Sequence, residues 1–172
     1  MNHSIHAKQH GSVLIVSLMI LLVLTLIGVT AMGVSTLEEK MAGNSRDQAL
    51  GFQAAEAALR DAETLLNGIA TTGAFNNTNG LYATGQAPDI FANATWTGSA
   101  SRTGTAVPNV PNPPRFIVEF VGVTGRPTPM LESGYGDSSG GGQITNFRIT
   151  ARGTGGTDSA TVLLQEYYGM RL

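Results

Sequence analysis

The chain has 172 residues, a net charge of −2 and only 13% charged residues, a balance with no electrostatic footprint for nucleic acid. It has no cysteine, which excludes disulfides, thiol nucleophiles and cysteine zinc sites and leaves packing to hold the fold. A polar stretch, MNHSIHAKQH, opens the chain and contains all three histidines, His3, His6 and His10.

From Val13 to Val34 the sequence reads VLIVSLMILLVLTLIGVTAMGV, and no charged residue lies between Lys8 and Glu38. A helix needs roughly 20 apolar residues to cross a bilayer core, whereas an ordinary secretory signal has an apolar core of roughly 7–15. The run therefore predicts a membrane-spanning helix, and Lys8 on its flank orients the N-terminus to the cytoplasm. The same residues admit two other readings. One is a secretory signal cut at the small-residue site Ala31-Met32-Gly33; the other is a plain single-span anchor.

The helical pattern continues beyond the apolar run. Phe52, Ala55, Leu59, Ala62 and Leu66 step by three and four residues and so predict one apolar face packed on a sheet. Arg46, Asp47, Arg60, Asp61 and Glu63 lie largely off that stripe. No proline precedes Pro88, and Asn67-Gly68 is a helix stop. A helix over 12–67 would be about 84 Å long at 1.5 Å per residue. Gly28, Gly33, Gly43 and Gly51 interrupt it, and the 28–33 region is expected to loosen when the helix packs among others.

Beyond residue 67 the pattern changes. Residues 68–114 are rich in Gly, Thr, Asn, Ala and Pro, and Pro108, Pro111, Pro113 and Pro114 lead into a strand. Arg115 to Val121 alternates, with Phe116, Val118 and Phe120 on one face. Gly122 to Gly142 reads as a long loop, a candidate partner-contacting region because unstructured loops of that length are unusual in a compact domain. Ile144 to Arg152 predicts a second strand, with Phe147, Ile149 and Ala151 on one side. Arg148, Thr150 and Arg152 lie on the other, a solvent face or an anion site. Ala160 to Tyr168 predicts a third strand after the turn at Gly153–Asp158. The fold class is α+β: a long N-terminal helix packed on a small antiparallel sheet. No constellation for catalysis, metal or cofactor emerges, and the chain is read as a non-enzyme that needs no cofactor.

The segment Leu37, Glu38, Glu39, Lys40, Met41, Ala42, Gly43, Asn44, followed by Arg46-Asp47 and by Phe52, Gln53, Ala54, Ala55, Glu56, Ala57, Ala58, Leu59, Arg60, resembles the N-terminal module of PilX-type minor pilins. The likeness covers about residues 10–66. The tail residues Phe147–Gly153 and Val162–Gln165 are similar to the end of that family's head, and Gly80-Leu81-Tyr82 is the family-like part of the middle. The resemblance implies a pilin-like division: a prepilin leader over 1–11, a pilin helix over 12–67 with 12–36 in the membrane, and a β-rich head over 68–172. It implies that a prepilin peptidase cuts between Gly11 and Ser12, leaving Ser12 as a methylated N-terminus. It also implies a place in the inner membrane before assembly and in the cell-surface pilus afterwards. The implied partners are other minor pilins, the major pilin and a PilY-type tip adhesin.

Major pilins carry Glu at the fifth position after the cut, where it pairs with the N-terminal ammonium of the subunit ahead; here that position is Val16. The resemblance thus implies a subunit of the tip or the priming complex for type IV pilus assembly. A pseudopilin of a type II secretion system is the alternative, with the same leader and helix.

Overall fold

The computed structural model describes residues 12–125 and 143–172. The leader with Gly11, and residues 126–142 of the expected long loop, lie outside the described residues. One helix, α1 (Ser12–Asn67), opens the described chain, which divides into two units between Gly43 and Asn44.

In the first unit every described residue is exposed, and α1 is long and apolar enough to cross a membrane. Four of its hydroxyls are satisfied by the helix itself. Ser17 Oγ donates to the Leu14 carbonyl at 2.9 Å, Thr25 Oγ1 to Leu22 at 2.7 Å, Thr30 Oγ1 to Leu26 at 2.7 Å and Thr36 Oγ1 to Gly33 at 2.9 Å. Such bonds remove the cost of placing a free hydroxyl in hydrocarbon.

The second unit holds the rest of α1 and a five-stranded sheet: β1 (Leu81–Tyr82), β2 (Arg102–Thr103), β3 (Arg115–Thr124), β4 (Ile144–Thr154) and β5 (Thr161–Met170). The order is β1-β3-β4-β5, with β2 also paired to β3. The three long strands form the expected antiparallel meander. The sheet as a whole is mixed, because β1 runs parallel to β3. β3 extends to Thr124, past the expected end at Val121, by taking a bulge between Phe120 and Gly122. Gly122 has φ 154° there, a backbone state that a residue with Cβ rarely adopts.

Ala58, Ala62 and Leu66 of α1 pack on Phe116, Val118, Phe147, Ile149 and Ala151. Phe75 stacks on Phe147 with centroids 5.0 Å apart, and Phe120 tilts against the same ring at 6.1 Å. Phe116, Val118 and Phe120, and Phe147, Ile149 and Ala151, face the helix as their alternation predicts.

The buried helix face differs from the expected one. It consists of Gly51, Ala54, Ala55, Ala58, Ala62 and Leu66, while Phe52 is 45% exposed and Leu59 is only partly buried. The reason is the closeness of the helix to β4. A Cβ at Gly153 would overlap the Gly51 carbonyl oxygen and the Ala55 nitrogen, and one at Gly155 would overlap the Asp47 carbonyl. Backbone meets backbone here, so the contact selects small residues and turns Phe52 away.

The opposite face of the sheet, read as a solvent face or an anion site, is covered in part. Tyr82, Trp96 and Ile117 form a second buried cluster, with Ala87, Ile90 and Leu163 against it. Thr150 is buried. The Gly/Thr/Asn-rich segment supplies this cover: Trp96 Nε1 donates to the Ile90 carbonyl at 2.8 Å, and Tyr82 Oη donates to Ala100 at 2.7 Å.

Candidate functional site

The residues singled out from the sequence lie along α1 and separate into two groups. Ser12 is the first helical residue, and Val16 is 55% exposed four residues on. Leu37, Glu38, Glu39, Met41, Gly43, Asn44 and Gln53 are exposed. Among the described residues, a Cβ at Gly43 would meet nothing within 4 Å. Ala54 and Ala55 are fully buried, so they serve the fold of the second unit. Glu56 and Arg60 form an i,i+4 ion pair at 3.6 Å on the exposed side, worth a few tenths of a kcal/mol at most, roughly 0.3–0.5 for such pairs. The motif therefore combines buried residues that hold the head with residues that are exposed among the described residues.

Two acidic residues of α1 have a structural task that the periodicity did not reveal. Asp47 accepts hydrogen bonds from the Thr157 backbone N–H at 2.9 Å and from Thr157 Oγ1. These bonds hold its carboxyl below the usual aspartate range. Asp61 accepts from the Thr105 N–H at 2.5 Å and from Thr105 Oγ1 at 3.1 Å. Each acid grips a Gly-Thr dipeptide, Gly156-Thr157 in one case and Gly104-Thr105 in the other. A Cβ at Gly104 would stand 2.9 Å from Asp61 Oδ2. The repeated Gly-Thr pairs were the available signal, but nothing local to them names a partner on the helix.

The covered sheet face is organised by charge. Glu119 is buried and accepts from Arg148 and from the Gly85 N–H at 2.7 Å. Its carboxylate, first through the hydrogen bond and then through its charge, raises the Arg148 guanidinium further above its usual range. Arg115 donates from Nε to Ser101 Oγ at 2.7 Å and from Nη2 to the Ser101 carbonyl at 2.6 Å, which ties β3 to the covering segment. The family-like Gly80-Leu81-Tyr82 joins the two clusters. Gly80 has φ 75°, and a Cβ on it would stand 2.9 Å from the Arg102 nitrogen; Leu81 enters the helix-side core and Tyr82 the other. Among the described residues no group of three His, Asp or Glu side chains could hold a metal ion.

The described residues thus comprise a long exposed apolar helix and a small sheet-bearing unit, and two family models match them. The PilX N-terminal family model matches residues 10–60, and the C-terminal model of the type IV pilus assembly protein PilX matches 62–170. The chain belongs to the PilX family. No curated protein and no solved structure matches it. The two PilX models meet inside α1, where Ala58 and Ala62 of the core lie on either side of the junction. PilX-family membership makes the chain a type IV pilus minor pilin, a structural protein rather than a member of an enzyme family, that works with other pilus components.

Proposed function

We propose that this minor pilin acts at the start of pilus assembly, in a priming complex with other minor pilins that remains at the filament tip. Before assembly, residues 12–36 hold it in the inner membrane as a single span with the N-terminus in the cytoplasm. Prepilin peptidase then cuts after Gly11, and Ser12 becomes the methylated N-terminus. In the filament the exposed apolar residues from Val13 to Met41 pack against other pilins, and a PilY-type adhesin docks at the tip. The C-terminal match to a pilus assembly protein favours this reading over a secretion pseudopilin.

Val16 is the observation that carries the tip placement. A buried ammonium without a carboxylate partner costs several kcal/mol, on the order of 3–5 when one member of a pair is removed. A subunit with Val16 cannot neutralise the N-terminus of a subunit ahead of it. At the tip there is none ahead, so nothing is lost. Immunogold labelling of pili tests this: wild type is expected at filament ends, and Val16→Glu is expected to spread the label along the shaft. Dense shaft labelling already present in wild type would refute the tip placement.

A further inference from the structure

The covered face of the sheet has an open cleft of about 440 Å³, whose lining includes Trp96, Pro113, Arg115, Arg152, Thr154 and Asp158. Arg115 and Arg152 stand directly opposite one another across the β3–β4 pair. Like charges in that position repel. Arg115 is held by neutral acceptors, the oxygens of Gly98, Ser101 and Thr103, so its charge is solvated but not balanced. Arg152 makes no hydrogen bond and no ion pair among the described residues. Thr154 lies two positions further along β4, hence on the same face, and its Oγ1 is buried without a hydrogen-bond partner. Buried hydroxyls are normally paired, and one that is not asks for an explanation.

The acid that lines the cleft, Asp158, is engaged by Asn112 Nδ2. Two guanidinium groups and one carboxylate leave one positive charge, which suits one negative charge. A planar guanidinium beside a free hydroxyl suits a carboxylate, one of whose oxygens can accept from both. The volume exceeds that of a bare ion and falls in the range of small-ligand sites, roughly 300–1,000 Å³. Trp96 and Pro113 supply apolar wall for carbon atoms. We propose that this cleft binds a carboxylate carried on a compact organic body, with Arg152 pairing its charge and Thr154 turning its Oγ1 out of its buried position to donate to it. The site is independent of α1's role in assembly.

Binding is tested on the full chain in detergent micelles by following the Arg152 Nε–H and Trp96 Nε1–H resonances. Glucuronate, acetate, glucose and inorganic phosphate are titrated separately. Glucuronate is expected to give saturable shifts, acetate weaker ones and glucose none. Arg152→Gln is expected to weaken glucuronate binding at least about tenfold, or about 1.4 kcal/mol. Thr154→Val removes the orphan hydroxyl, so it is expected to weaken binding several-fold while leaving thermal stability unchanged or higher. That variant keeps the test decisive should Arg152→Gln fail to fold. No saturable shift with either carboxylate, phosphate binding tighter than both, or unchanged binding in both variants would overturn the proposal. Equal affinity for acetate and glucuronate would overturn the assignment of an organic body.

Discussion

Three carboxylates of the second unit show how one residue type takes three roles according to its surroundings. Glu119 is buried but fully paired, Asp47 is held by Thr157, and Glu166 of β5 has its Oε1 buried without a hydrogen-bond partner. Burial first, and the neighbouring Glu63 carboxylate second, raise Glu166 above the usual glutamate range. The two shifted groups act on stability with opposite sign. The folded state binds the Glu166 proton more tightly than the unfolded state, so stability falls as pH rises from the ordinary glutamate range through the raised one. Glu166→Gln is expected to flatten that window and raise the melting temperature at neutral pH; an unchanged pH profile would exclude the effect. Asp47 is lowered, so its contribution is present above the ordinary aspartate range and is lost as pH falls through the lowered value. Asp47→Ala is expected to melt earlier than wild type at neutral pH, with the gap closing in acid. The chain's single tryptophan, Trp96, is buried in the second unit and reports its unfolding by near-ultraviolet circular dichroism.

At the scale of elements, the contact of α1 with the end of β4 governs which residues the helix buries. Gly153 permits the approach because it has no Cβ, and Ala54 and Ala55 keep the helix side low. Gly153→Ala therefore forces the strand and helix apart and is expected to cost about 1–3 kcal/mol, as overpacking does. Gly43→Ala meets nothing within 4 Å among the described residues and is expected to leave the melting of the second unit unchanged. Urea unfolding of the two variants separates them, and equal destabilisation would contradict the close-approach account. The strands themselves were legible in the sequence, because Phe116, Val118 and Phe120, like Phe147, Ile149 and Ala151, alternate cleanly. Phe52 misled the reading of the helix. Periodicity identifies a stripe of apolar residues, but its rotation by one position depends on how near the facing strand comes. β1 and β2, with two residues each, are too short to carry any periodic signal.

At the scale of the whole molecule, the chain carries a long apolar helix and a head whose sheet is packed by that helix on one face and covered in part on the other. Processing is the first thing to measure, since the tip placement counts its fifth residue from the cut. N-terminal sequencing of protein from cells with prepilin peptidase is expected to begin at Ser12, and from cells without it at Met1. A start at Met1 in both would make the chain an ordinary anchored protein, and one near Val34 a secreted one. The sequence by itself determined the long apolar helix, the three long strands and the family, because these rest on patterns carried by neighbouring residues or by ordered motifs. Only the tertiary structure decided that Asp47 and Asp61 hold Gly-Thr dipeptides, that Glu119 meets Arg148, and that Arg152 is left over a cleft. Those pairings join residues up to 110 positions apart, as Asp47 and Thr157 are. A Gly/Thr/Asn-rich segment has no hydrophobic period to announce where it will lie; it found its place over the sheet through Trp96, Tyr82 and hydrogen bonds to distant backbone.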